Sequence, residues 1–290
     1  MKLQLCVFML VLGVMGAAAS AQQSAAASSP VTAELVASVE AVKAGEPFMV
    51  AVRFNIQPKW HIYWKHGGQA GIPTEVKFEL PEGFTVGEVA YPVPIKFVQP
   101  GDIIGYGYEN EALLMAYVTP PEELSIREVP IKARAKWLVC AETCIPGRQD
   151  LSMTLPVTDE SRPANAALFA EWTARVPAVI DGYGQLITNV KTEVRQDGRD
   201  AVNTTTFSAF ATLSDVDFYP AGDPGLRIED IKVEQTGEKE FRVTYTISPL
   251  AGFKQWAREL EALVVYTGPA GRHGTMITFP TPEPPAEKQN

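Results

Sequence analysis

Short segments in which apolar and polar residues alternate are the feature that most constrains the fold of this chain. Three of them are Val50, Val52, Phe54 and Ile56; Val76, Phe78 and Leu80; and Phe241, Val243, Tyr245 and Ile247. A period of two places successive side chains on opposite faces of a β-strand, so each segment predicts a strand with one buried face. Residues typical of turns separate these segments, and long helical spacing is scarce. The pattern predicts an all-β protein built from immunoglobulin-like sandwiches.

Length and composition favour two such sandwich domains. The chain has 290 residues, of which 46% are hydrophobic and 20% charged, as in ordinary globular proteins. Between two β-rich halves lies a segment of helical spacing that Arg162-Pro163 opens and Pro177 ends. Its helical positions are Ala167, Leu168, Ala170, Glu171 and Trp172. We predict a first sandwich over residues 31–158, a helical linker over 159–178 and a second sandwich over 179–280.

The two ends of the chain are predicted to lie outside these domains. An apolar run over residues 3–15, followed by the small residues Ala19-Ser20-Ala21, is typical of a secretory signal peptide over residues 1–21. The Pro-rich residues 281–290 predict a disordered tail. No later run is long enough to cross a bilayer, so we expect an exported protein that is not inserted in the membrane after signal cleavage.

Two cysteines remain after signal cleavage, because Cys6 lies within the signal. Cys140 and Cys144 flank the tripeptide Ala141-Glu142-Thr143. In an oxidising compartment they are expected to form a disulfide, either as a structural staple or as a working redox couple. A chain of this size can bury an adequate core, and closing so short a loop contributes only about 2 kcal/mol. The weak structural need favours the redox couple.

The segments around the cysteines predict a β-hairpin. One face of the incoming strand carries Val129, Ile131, Ala133, Ala135, Trp137 and Val139, and the other carries Lys132, Arg134, Lys136 and Cys140. A returning strand follows with Leu151, Met153, Leu155 and Val157. Residues 141–148 would then form the hairpin tip. We expect Cys140 to emerge on the polar, solvent-facing side and slightly favour it as the sulfur that a partner thiolate attacks first.

Several sequence blocks carry a family resemblance. They are Pro58-Lys59-Trp60-His61-Ile62-Tyr63-Trp64, residues 67–73, Leu80-Pro81-Glu82-Gly83-Phe84, Tyr91-Pro92-Val93-Pro94, Gly105-Tyr106-Gly107-Tyr108-Glu109 and residues 137–147. In this order they resemble the N-terminal periplasmic domain of DsbD-type thiol:disulfide interchange proteins, especially the branch that includes the copper-tolerance protein ScsB. The blocks span roughly the first half of the mature chain. The second half is similar only in a general way to the β domain that follows in that branch.

The resemblance implies a function for the cysteine pair. In this family the pair accepts electrons from a membrane-embedded domain and passes them to periplasmic thioredoxin-fold proteins, and only Cys140 and Cys144 inherit that catalytic role here. Family members usually continue into a multi-span membrane domain and a thioredoxin-like domain, neither of which follows in this sequence. We therefore expect separate partners, a membrane electron-transfer protein and periplasmic thioredoxin-fold oxidoreductases. The protein would be a redox carrier without a cofactor rather than a small-molecule enzyme.

Aromatic residues in the same blocks are candidates to cover the disulfide. Trp60, Tyr63, Trp64, Tyr106 and Tyr108 could limit nonspecific exchange, as a loop does in the proteins that the sequence resembles. Of these, the segment that contains Tyr106 and Tyr108 is the better candidate. The alternative is that all of them fill the sandwich core, as aromatic residues in β domains commonly do.

Two other functions stay open at this stage. His61 and His66 could join thiolates or Met153 in a copper site, because copper favours imidazole and soft sulfur ligands. Three histidines in the whole chain are a small supply for such a site. The other alternative is a non-catalytic binding or assembly module whose disulfide only pins a hairpin. The net charge of -9 gives no electrostatic case for nucleic acid as a partner.

Overall fold

The structure, a computed structural model, describes residues 29–179 and 186–283. Within these ranges the chain forms twenty strands and one short helix. The predicted signal peptide and most of the predicted tail lie outside the described residues. No helix in the described ranges has the length and apolar character needed to cross a membrane.

The first β-sandwich is formed by two antiparallel sheets and a small two-stranded pair. Its strands are β1 (Val31–Ala37), β2 (Val39–Ala41), β3 (Phe48–Ile56), β4 (His61–Gly68), β5 (Glu75–Glu79), β6 (Thr85–Val86), β7 (Ile95–Gln99), β8 (Ile103–Glu109), β9 (Glu111–Thr119), β10 (Glu128–Cys140), β11 (Cys144–Pro156) and β12 (Arg162–Pro163). One sheet has the order β1-β3-β9-β6. The other has the order β11-β10-β4-β8-β7, with β5 also paired to β10, while β12 pairs with β2.

The alternation predicted from the sequence is confirmed in these strands. The buried members are Val50, Val52, Phe54 and Ile56 on β3, and Val129, Ile131, Ala133, Ala135, Trp137 and Val139 on β10. The two strands belong to different sheets, and these residues form one continuous core between them. Burial of a large aliphatic side chain such as Ile131 stabilises the fold by about 1.5–3 kcal/mol.

The predicted helical segment is shorter than expected and packs on the first sandwich. Arg162-Pro163 forms strand β12 instead of opening the helix, because the following Ala164 N–H and the Asn165 side chain donate hydrogen bonds to backbone carbonyls beside β1 and β2. Helix α1 therefore spans Ala166–Thr173. Its Phe169 and Trp172 are buried against residues of β3 and β9.

The second β-sandwich is formed by two four-stranded sheets. Its strands are β13 (Ala178–Val179), β14 (Ile187–Asp197), β15 (Asp200–Ala209), β16 (Ser214–Pro220), β17 (Leu226–Gln235), β18 (Glu240–Pro249), β19 (Glu259–Gly268) and β20 (Gly271–Pro280). The orders are β13-β20-β19-β16 and β14-β15-β18-β17. The predicted architecture, two sandwiches with a short helix between them, is confirmed.

The two sandwiches are in apolar contact. The second sandwich has its own core, but its Tyr219, Leu263 and Val265 are buried in the core cluster of the first. Tyr106 on β8 stacks on Tyr219 with ring centroids 4.3 Å apart. The second sandwich therefore completes one face of the first.

Candidate functional site

The two cysteines form a disulfide at the end of the β10–β11 hairpin. Cys140 and Cys144 are directly opposite each other in the strand register, and their Cα atoms are 4.1 Å apart. The tip consists of Ala141, Glu142 and Thr143, and the Ala141 N–H donates to the Thr143 carbonyl. The tip predicted over residues 141–148 is therefore too long, because β11 begins at Cys144 itself.

The two sulfurs differ in their exposure to solvent. Cys144 is exposed, whereas Cys140 is only 1% exposed. The prediction that Cys140 emerges into solvent is thus wrong, although its position on the polar face of β10 is correct. Residues further back on that face are open to solvent, but at the strand end β4 pairs alongside and places His61 opposite Cys140. A strand's alternation defines the face of a side chain, not whether another element covers it.

Tyr63 on β4 contacts the buried sulfur directly. Its hydroxyl donates to Cys140 Sγ at 3.4 Å and accepts a hydrogen bond from Gln99 Nε2 at 2.9 Å. Burial raises the pKa of Tyr63, so its phenol stays protonated and able to donate. Gly71 makes room for the ring, because a Cβ there would lie 2.2 Å from Tyr63 and its φ of +111° disfavours other residues.

The β7–β8 hairpin, which we call the cover hairpin (residues 95–109), lies beside the disulfide. Its Phe97 ring packs on His61 with centroids 4.0 Å apart, and a Cβ on the cross-strand residue Gly105 would lie 2.3 Å from Phe97. Glycine at 105 is therefore what lets Phe97 turn inward across its own hairpin. Burial lowers the pKa of His61, so its ring is neutral at pH 7.

An open cleft connects the cover hairpin to the disulfide. It has a volume of about 520 Å³ and is bounded by residues of the hairpin, of the β3–β4 turn and of the tip between the cysteines. Its lining includes Trp60, His61, Phe97, Val98, Ala141 and Thr143. A partner that reaches Cys144 would meet this cleft, with the 65% exposed Val98 at its rim.

Among the five aromatic residues predicted as a cover, Tyr63 contacts Cys140 Sγ, whereas the other four lie in different surroundings. Trp60 is partly exposed and lines the cleft. Trp64 is fully buried in the core, Tyr106 stacks against the second sandwich, and the buried Tyr108 hydroxyl donates to the Pro92 carbonyl. The surroundings of Trp64, Tyr106 and Tyr108 agree with the alternative hypothesis, in which these aromatic residues fill the core.

The sequence interpretation missed Phe97 and Gln99. The signal that could have found them is the turn Pro100-Gly101-Asp102, which follows the β-prone residues Ile95, Phe97 and Val98 and precedes the Gly105 block. That pattern is typical of a hairpin. It does not reveal that the hairpin folds back over the cysteines.

The residues considered for copper are separated by their surroundings. His61 lies under Phe97, while His66 Nε2 is 3.1 Å from Glu261 Oε2 at the contact between the sandwiches. Met153 on β11 packs against the first core. Within residues 29–179 and 186–283, no group of three or more His, Cys, Asp or Glu side chains is placed to hold a metal ion.

Comparisons with known proteins agree with this picture. The family model described as thiol:disulfide interchange protein DsbD, N-terminal, matches residues 28–156, which include both cysteines. The N-terminal periplasmic domain of ScsB from Proteus mirabilis aligns over 88% of this chain and 95% of its own, with a TM-score of 0.61 and 16% identity. The reduced N-terminal domain of DsbD from Neisseria meningitidis aligns over 44% of this chain and 89% of its own, with a TM-score of 0.27 and 14% identity. A search of curated proteins found no match.

The similarity to ScsB extends through both sandwiches, so the two-domain fold is shared with that periplasmic domain. The family match covers the sandwich that carries the disulfide. The resemblance identified from the sequence blocks is confirmed. Residues 28–156, which include most of the first sandwich, therefore match the DsbD N-terminal family of thiol:disulfide interchange proteins.

Proposed function

We propose that this protein is a periplasmic thiol:disulfide interchange module whose catalytic residues are Cys140 and Cys144. It would carry electrons between a membrane or thioredoxin-like donor and periplasmic thioredoxin-fold acceptors. The observation that supports this most is the asymmetry of the disulfide, in which the exposed Cys144 is joined to the buried Cys140. Exchange needs one sulfur open to attack and a second that can leave and later return.

The exposure difference favours one order of steps. A thiolate of the reduced partner attacks Cys144 Sγ, the S–S bond breaks, and Cys140 leaves as a thiolate toward which the Tyr63 hydroxyl already points. The partner's second thiolate then attacks the partner sulfur of the mixed disulfide and releases Cys144. Two electrons pass to this protein, whose two thiolates take up two protons, while the partner becomes a disulfide. Reduction of an acceptor is the reverse sequence.

Shielding by Phe97 gives a testable prediction. Phe97→Ala should accelerate reduction of the disulfide by dithiothreitol on the order of tenfold, because access limits attack on a disulfide sulfur. Stopped-flow or quench measurements on the folded protein would give the rate. Tyr117→Ala, at an exposed aromatic residue on β9 outside the cleft, serves as the control and should leave the rate unchanged. Equal rates for both variants and the unchanged protein would show that Phe97 does not shield the couple.

The proposed function is tested by the reduction potential of the couple. The purified protein would be equilibrated in thiol buffers of defined potential and its free thiols trapped. We expect a value between about -300 and -120 mV, the range of known exchange proteins. A value well below about -300 mV would identify a structural disulfide and overturn the proposal.

A further inference from the structure

The cover hairpin has two faces with different neighbours. Along β7 the side chains alternate, so Phe97 and Gln99 contact His61 and Tyr63 on β4, beside the disulfide, while Lys96 and Val98 point to the other side. The outward Lys96 and its cross-strand partner Tyr106 both contact the second sandwich. The hairpin therefore lies between the disulfide on one side and the second sandwich on the other.

Three kinds of contact attach the outer face of the hairpin to the second sandwich. Arg272 at the start of β20 donates from Nη2 to the Pro94 carbonyl at 2.6 Å and to the Tyr219 hydroxyl at 3.3 Å. Lys96 forms an ion pair with Asp217 on β16. Tyr106 stacks on Tyr219. The charge-assisted hydrogen bond from Arg272 to the Pro94 carbonyl lies immediately before β7. It can therefore fix the direction in which the cover hairpin extends from the rest of the domain.

The hairpin is held less continuously by its own sheet. β7 is an edge strand that pairs only with β8, and β8 pairs regularly with β4 only from Tyr63 to His61. Beyond Gly107 the register between β4 and β8 breaks, and pairing resumes at a single position, Gly105 opposite Gly68. The part of the hairpin that carries Phe97 and Gln99 is therefore the part with the fewest ladder bonds to the rest of its domain.

We propose that the second sandwich is a positioning domain that holds the cover hairpin over the Cys140–Cys144 disulfide, with Arg272 as the principal positioning residue and the Lys96–Asp217 pair as its support. This role rests on the proposed exchange function and assigns a task to the second sandwich within it. Arg272 contacts neither sulfur and acts only through the hairpin. The Lys96–Asp217 ion pair is partly exposed, so it contributes less to holding the cover hairpin in place than Arg272 does.

The test compares variants that loosen the hairpin without touching the cysteines. Arg272→Ala should accelerate reduction by dithiothreitol on the order of threefold, and Arg272→Ala combined with Asp217→Asn should accelerate it further. Arg272→Lys, which can still donate to the Pro94 carbonyl, should restore part of the protection. Arg242→Ala is the matched control, because Arg242 lies in the same sandwich and pairs only at the surface with Glu234.

A double-mutant cycle separates positioning from a general loss of stability. In a Phe97→Ala background, Arg272→Ala should give no additional acceleration, since the group that it positions is already absent. Amide hydrogen exchange of residues 93–107 should rise in Arg272→Ala but not in Arg242→Ala. Additive rate increases, or unchanged exchange in residues 93–107, would overturn the proposal.

Failure of the positioning role can be distinguished from failure of the proposed exchange function. A potential in the exchange range together with unchanged rates in the Arg272 variants would overturn the positioning role alone. A potential of a structural disulfide together with faster reduction in Arg272→Ala would overturn the exchange function and still support Arg272 as the group that holds the cover.

Discussion

Cys140→Ser is expected to leave a thiol at Cys144 that reacts readily with a thioredoxin-fold partner, whereas Cys144→Ser is expected to leave a thiol at Cys140 that scarcely reacts. The reason is the difference in exposure, since Cys140 is buried beneath Tyr63 while Cys144 is open to solvent. The ratio of the two rates should be on the order of 100-fold, because thiol reactivity depends strongly on access.

Two measurements check this expectation. The first is the rate at which each folded variant reacts with an aromatic disulfide reagent. The second is capture of a thioredoxin whose single remaining active-site cysteine carries a thionitrobenzoate group, which leaves when the free thiol attacks. The mixed disulfide is then visible on a non-reducing gel. Cys140→Ser should form it and release one thionitrobenzoate per complex.

The double variant, with serine at both positions, provides the blank. Equal rates in the two single variants would contradict a role for the exposure difference. Faster reaction of Cys144→Ser would instead support the order first expected from the sequence, with Cys140 attacked first. Denaturation curves of both variants should be recorded, because an unfolded Cys144→Ser protein would expose Cys140 and raise its rate artificially.

Trp64→Ala is expected to lower the free energy of unfolding by about 3–5 kcal/mol, the usual cost of removing a large aromatic side chain from a packed core. Trp64 is 0% exposed and belongs to the main core cluster of the first sandwich. Urea denaturation at constant pH would measure the change. Trp60→Ala is the comparison, and its cost should be clearly smaller because Trp60 is partly exposed at the cleft.

The same pair of tryptophans distinguishes a core role from a covering role. If Trp64→Ala does not fold, Trp64→Phe keeps an aromatic ring in the core and should leave the rate of reduction by dithiothreitol unchanged. An accelerated rate in a stably folded Trp64→Phe protein would instead make Trp64 part of the cover, as the sequence first suggested.

The sequence predicted those parts of the molecule that depend on local pattern. The burial of β10 follows from its alternation, and the pairing of Cys140 with Cys144 follows from their spacing and the expected oxidising compartment. The family blocks located the domain that carries the pair. The first two inferences needed only residues that are neighbours in the chain or in a single hairpin, and each family block is itself a run of consecutive residues.

The remainder of the site depends on contacts between distant segments. Phe97 and Gln99 lie about 40 residues before Cys140 in the sequence, and only the folded hairpin brings them near Tyr63. The burial of Cys140 has the same origin. The sequence block that contains Tyr106 suggested a covering role. In the structure the Tyr106 ring instead stacks on Tyr219 of the second sandwich, and no local sequence pattern reveals this contact.

The contact between the sandwiches also limits how the protein can be divided. Tyr219, Leu263 and Val265 are supplied by the second sandwich yet are buried with the core of the first. A fragment that ends near Thr158 would therefore present a newly exposed apolar face to water, which favours self-association. For protein engineering, the second sandwich cannot be deleted or exchanged for an unrelated domain unless the replacement restores that apolar surface.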